Sequence, residues 1–151
     1  MSLTYPLSFP SSIGISNFNL RYVKSVAKTE SPFSFSQQVH DFGGGRWEAE
    51  ITIPPLSITQ ANTFQAFLIG LHGCLGTFTM SHPLHNAVIA SRSITGTKGN
   101  SVANFSGTVG AGLYFSVDNH LYITLESGST GISIQPPLRT TETSTTIDAT
   151  L

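Results

Sequence analysis

Residues 46–53, Arg46-Trp47-Glu48-Ala49-Glu50-Ile51-Thr52-Ile53, alternate strictly between two kinds of side chain. Trp47, Ala49, Ile51 and Ile53 fall on one side; Arg46, Glu48, Glu50 and Thr52 fall on the other. Period two with one apolar side is the pattern of an antiparallel strand that covers a core with one face and meets water with the other. Upstream, Phe18, Leu20 and Tyr22 alternate with Asn17, Asn19 and Arg21, and Phe33, Phe35, Gln37 and Val39 repeat the pattern after Ser31-Pro32. Three strands are expected, with Gly43-Gly44-Gly45 as the turn between the second and third. Pro54-Pro55 ends the third, because proline cannot donate to a sheet ladder.

A single helix follows. Ser57 and Gln60 have the spacing of a capping box, and Ala61, Phe64, Phe67, Leu68 and Leu71 form one apolar stripe at helical period. Gly73 stands where a left-handed C-terminal cap is wanted. The stripe is expected to lie on the sheet, with Phe64, Leu68 and Leu71 over Phe18, Phe35, Trp47 and Ile51. Residues 76–80, around Phe78, read as a short strand closed by His82-Pro83.

The second half reads as all β. Residues 87–90 form a short apolar strand, and residues 91–112 are rich in small polar residues, with weak strand signals at Val102 and Phe105. Leu113, Phe115 and Val117 alternate into Asp118-Asn119, and Leu121, Ile123 and Leu125 alternate out. Two Asp/Asn-type residues between alternating runs predict a hairpin with a tight primed turn. Residues 132–135 are a further strand, stopped by Pro136-Pro137. Residues 140–146 are a Thr/Ser/Glu tract with little to bury, expected as a flexible tail or as a segment that orders only on assembly. The fold class is mostly β: an antiparallel β-sandwich (residues 15–86) with one α-helix packed on it, then a small β module with a hairpin (87–139). An N-terminal arm (1–14) and a flexible tail (140–151) flank them.

Composition narrows the function. Charged residues are 10% of 151, well under the usual quarter, with 7 Lys and Arg against 8 Asp and Glu. A surface so poor in charge suits packing against copies or neighbours more than free diffusion. No basic stripe supplies the phosphate neutralisation that nucleic-acid binding needs. The longest apolar run, residues 66–71, is too short to cross a bilayer. Residues 1–10 carry no Lys or Arg ahead of an apolar run, so no secretory signal is expected.

Candidate chemistry is sparse. Cys74 is the single cysteine, so no intrachain disulfide or Cys-based metal cluster is expected; it reads as a small buried hydrophobe. His82 and His85 lack Cys, Asp or Glu nearby in sequence to complete a metal site. His40-Asp41 has the form of a base with its orienting carboxylate, but reads better as a strand end. His72 is placed at the helix C-terminus, where positive charge is favoured. Residues 99–103 lack the last glycine of a nucleophile elbow, residues 96–99 lack phosphate-loop spacing, and Asn104-Phe105-Ser106 is a sequon without a secretory context. Glu48 and Glu50 share one strand face and would have to serve as any paired catalytic carboxylates. No catalytic residue, cofactor or metal is expected. Trp47, Phe64, Phe67, Leu68, Leu71, Phe78, Tyr114 and Tyr122 are the candidates for core or interface, with Tyr114 and Tyr122 expected on the exposed side of their hairpin.

Residues 33–83 carry a resemblance. The Phe-Gly-Gly-Gly-Arg-Trp approach to a strand, the Pro-Pro-Leu link to a helix of Ala-x-x-Phe-x-Ala-Phe-Leu type, and the Leu-x-Gly-x-x-Gly-Thr-Phe strand are similar to minor tail proteins of the lambda type and distal tail proteins of siphophages. Residues 112–139 resemble the C-terminal part of such proteins, with Gly112-Leu113 in place of the usual Gly-Asp. The two stretches cover about half the chain; residues 87–112 have no counterpart. The resemblance implies a virion protein, assembled in the host cytoplasm into a homo-oligomeric ring that links the tail tube to hub, baseplate or fibre proteins. It brings no catalytic position. The alternative is a carbohydrate-binding tail module recognising a host surface glycan through Tyr114 and Tyr122.

Overall fold

The computed structural model describes residues 4–81, 83 and 91–148. The expected strand at 87–90 and the His82/His85 pair lie outside the described residues. The chain is mostly β with one helix, and it divides into two compact units: Met1–Phe18 with Ile51–Leu151, and Asn19–Glu50.

The core of the first unit is in the C-terminal half, where a six-stranded antiparallel sheet runs from Ser93 to Thr146. Its strands are Ser93–Gly96 (β5), Val102–Phe105 (β6), Tyr114–Val117 (β7), His120–Thr124 (β8), Ile132–Gln135 (β9) and Glu142–Thr146 (β10), in the order β10-β5-β6-β9-β8-β7. The end strands meet. Beyond β10 the Asp148 amide donates to the Ser116 carbonyl of β7 at 3.0 Å, and Ser116 Oγ donates to Asp148 Oδ2 at 3.2 Å. The sheet therefore curls and satisfies part of the edge that an open sheet leaves bare. Inside it Ile94, Val109, Phe115, Val117, Tyr122, Ile134, Leu138 and Ile147 are all buried. Phe115 stacks on Tyr122 and meets Phe105 edge-on, both at 5.4 Å between ring centres.

Two expectations are corrected here. Residues 140–146 are not a free tail: Thr145 pairs with Ile94 and Thr146 with Ser93, and Ile147 enters the core. Threonine-rich sequence carries strand propensity, and one isoleucine at its end is enough to anchor it. The hairpin faces are also reversed on β8. Asp118 and Asn119 take φ 50° and 60°, the primed turn that the dipeptide predicts. That turn pairs Val117 with His120 and Phe115 with Tyr122, so even-numbered residues of β8 join odd-numbered residues of β7. Tyr122 is thus buried, Leu121 and Ile123 lie half-buried on the other face, and Leu125 is exposed.

The rest of this unit is an arm-and-helix cluster. Leu7–Ser8 (β1) pairs in parallel with Phe78–Thr79 (β4), and Ile58–Gly70 forms the helix α1. Ser57 closes the expected capping box with Gln60, whose side-chain carbonyl accepts from the Ser57 amide at 3.0 Å. The aromatic stripe of the helix packs on the arm and the small β1–β4 pair, with Phe9 5.7 Å from Phe67 and Phe78 of β4 5.5 Å from Phe67. Gln60 Nε2 donates to Ser12 O at 2.9 Å and Tyr5 Oη to Gly70 O at 2.7 Å, tying the arm along the helix. Leu71, the C-cap, is buried, whereas Leu68 is exposed. After it both His72 and Gly73 have positive φ, a double left-handed turn that leaves Cys74 exposed rather than buried.

The second unit is the greater part of a two-stranded ribbon of Asn17–Glu30 (β2) and Gln37–Thr52 (β3). The three expected strands are two long ones. Residues 43–45 lie inside β3, and the turn falls at residues 31–36, where Ser31 and Ser36 are joined amide to carbonyl at 3.0 Å. Gly45 is in the strand because the Tyr22 ring lies across it. A β-carbon there would stand 1.8 Å from Tyr22 Oη and 2.4 Å from its ring. Glycine within a strand often marks such a close approach.

Candidate assembly surface

The ribbon and its turn carry several apolar side chains that no core takes up, and Ile58 and Leu75 at the two ends of the helix region are exposed too. Phe33 is 95% exposed and Phe35 74%, both in the turn at its end. Val26, Val39 and Phe42 are also exposed along the strands. Phe35 was expected in a core beneath the helix; it sits in the turn with φ 53°. Alternation in sequence shows that a strand has an apolar face, but another element must cover that face before it becomes a core.

Ribbon charge is balanced locally. Arg21, Lys24, Lys28 and Arg46 face Glu30, Asp41, Glu48 and Glu50 in number, four against four, so residues 19–50 hold more than half of the 15 charges in the chain. Glu48 accepts from Arg46 Nη2 at 2.7 Å and from Arg21 Nη2 at 2.6 Å, and these two guanidinium groups, Arg46 first, hold its pKa below the usual carboxylate range. Asp41 pairs with Lys24 and accepts from the Gly43 amide at 2.8 Å; the ammonium, then the amide, lowers its pKa. His40 meets the Phe42 ring edge-on at 4.7 Å. Both lowered carboxylates are fully committed to cations, which is the opposite of what a general acid needs. Exposed pairs of this kind set register more than they add stability.

The sign of the pH dependence follows. Because both folded-state values are depressed, their stabilising effect is present above the ordinary carboxylate range and is lost as pH falls through the depressed values. Acidification below about pH 4 is expected to loosen the ribbon. Trp47, the single tryptophan, reports it, since its ring lies 5.1 Å from Tyr22. Trp47 emission that stayed flat through the acid range would contradict the assignment. The same probe tests Gly45→Val, which drives Tyr22 off Trp47. A cost of about 1–3 kcal/mol is expected from such overpacking, with a shift in Trp47 emission.

Among the described residues, the first unit has recesses of which two bear on binding. One, about 390 Å3, is lined by Thr95, Thr97, Asn100, Asn104, Thr141 and Glu142 among others, with no aromatic among its described lining residues. Asn104, the sequon residue, uses its side-chain oxygen to accept from the Gly131 amide at 2.7 Å. The other is an open groove of about 800 Å3 between the arm and the turn of the β7–β8 hairpin, where Phe9, Ile13, Ile15 and Met80 supply apolar wall. Asp148 is the one charged group among its described lining residues.

The sequence candidates scatter over these parts. Phe64, Phe67, Leu71 and Phe78 belong to the arm-and-helix cluster, and Tyr122 belongs to the sheet core. Trp47 lies half-buried on the ribbon, Tyr114 is half-buried on β7, and Leu68 is exposed. Phe33, placed by its alternation on a strand, is instead exposed in the turn, and the Ser-Pro-Phe-Ser-Phe-Ser stretch is turn-like in composition. Among the described residues no three His, Cys, Asp or Glu side chains converge as a metal site, and no helix is long and apolar enough to cross a membrane. Neither a protein-family model nor a curated protein matches the sequence.

Proposed function

We propose that this chain is a structural, non-enzymatic subunit of a phage tail, working as one copy in a homo-oligomeric ring at the distal tail that joins the tube to tip, baseplate or fibre proteins. The tail assignment rests on the residue pattern of 33–83 and 112–139. The self-assembly part is carried by one observation, the ribbon of β2 and β3. A two-stranded ribbon is marginal in water by itself, and this one keeps Phe33, Phe35, Val39 and Phe42 in solvent. Contact with further copies gives those groups cover, and a closed ring leaves no copy with its ribbon unused. The glycan-binding alternative loses half its platform, since Tyr122 is buried.

The test is direct. Native mass measurement of the purified protein is expected to find one defined oligomer, and imaging of tails to find it at the distal end in the same stoichiometry. A monomer at every concentration, absent from virions, would end this reading.

A further inference from the structure

The chain carries an exposed apolar tip and an open groove of mixed lining. One is a knob: Phe33 and Phe35 in the ribbon turn, exposed to 95% and 74%, inside an uncharged stretch from Ser31 to Val39. The other is a hollow: the groove of about 800 Å3, where Phe9, Ile13, Ile15 and Met80 form an apolar wall and serine, threonine, Asn119 and Asp148 side chains form a polar part. A pocket of this size lies in the range, about 300–1,000 Å3, that encloses compact apolar ligands, and two phenyl side chains fit within it. The knob is uncharged, and the one charged group among the described groove residues, Asp148, already accepts from Ser116 Oγ at 3.2 Å.

We propose that the Phe33–Phe35 turn of one copy seats in the Phe9/Ile13/Ile15/Met80 groove of the next copy. The occupant is thus a second copy of this chain. A surface carrying both an apolar knob and a pocket elsewhere makes a head-to-tail contact, which closes into a ring or runs on as a filament. A contact of knob with knob would stop at two copies. Area points the same way. Each phenylalanine brings about 150–250 Å2, so the two supply roughly half of the ~800 Å2 per partner of a stable interface. Such a pair forms the interface centre, and the ribbon flanks with their balanced charges form its rim. This inference rests on the self-assembly reading above and specifies the surfaces it uses.

Complementation separates the outcomes. The tip variant, Phe33→Ser with Phe35→Ser, keeps its groove. The groove variant, Ser11→Lys with Ile15→Lys, keeps its tip; circular dichroism and Trp47 emission check that each retains its fold. Each alone is expected to be monomeric by sedimentation, and an equal mixture is expected to form a one-to-one dimer and nothing larger. A groove variant that assembles like the wild type overturns the proposal while leaving self-assembly intact. A wild type that is monomeric throughout overturns both. A monomer that floats with phosphatidylglycerol–phosphatidylethanolamine vesicles only while Phe33 and Phe35 are present also overturns it, and assigns the tip to a membrane.

Discussion

Replacing Tyr122 with alanine is expected to lower stability by about 3–5 kcal/mol, the range for deleting a buried aromatic. A small domain has only about 5–15 kcal/mol in total, so most copies lose the six-stranded module at modest denaturant. The ring is fully buried, stacks on Phe115 at 5.4 Å, and accepts through Oη from the Arg139 amide at 3.2 Å. Tyr122→Phe keeps the stack and removes only the acceptor; Arg139 is exposed, so water can take over its amide and the cost is expected to be about 0.5–1.5 kcal/mol. Urea titration reads both, and an unchanged midpoint for Tyr122→Ala would refute the core as described. Burial, the largest influence, raises the Tyr122 pKa, with the Arg139 amide acting in the opposite direction. With the folded value above the unfolded one, stability is intact below about pH 10 and is withdrawn as pH rises toward the folded value.

Removal of residues 140–151 is expected to be as damaging, although the sequence reads there as a tail with little to bury. The deletion strips β10 from β5, takes Ile147 out of the core, and removes the Asp148 contact with Ser116 that closes the sheet. Ile147→Ala alone should cost about 2–5 kcal/mol. The truncated protein also exposes the whole outer edge of β5, a template for aggregation. Loss of soluble yield and of the cooperative thermal transition is the expected readout. A truncated chain that melts like the full one would show that β10 is an ornament on a core complete without it.

These two cases show why some elements were legible and others were not. The helix cap was readable because Ser57 and Gln60 act within one turn, and nothing distant competes with them. The 118–119 turn was readable for the same reason. What that turn does to the strands needed its arithmetic: a two-residue loop pairs 117 with 120, so an odd position faces an even one. Reading the alternation of Leu121, Ile123 and Leu125 by itself put the wrong face inward. The glycines at 43–45 misled because their composition suits a turn, whereas one of them serves the passage of the Tyr22 ring, a contact made 23 residues away in sequence.

By itself the sequence determined that this is a mostly-β chain with one capped helix, a primed hairpin and few charges, because each of those follows from neighbours within a few residues. Only the tertiary structure decided where the core is. Alternation at residues 46–53 marks a strand with an apolar face, yet burial depends on what lies over that face. Phe33 and Phe35 thus went to an exposed turn and Phe64, Phe67 and Phe78 to the arm-and-helix cluster, while a Thr-rich stretch that looked like a tail closed the true core. That same outcome locates the candidate surface: Phe33, Phe35, Val39 and Phe42 stay exposed because no element of the described chain lies over them.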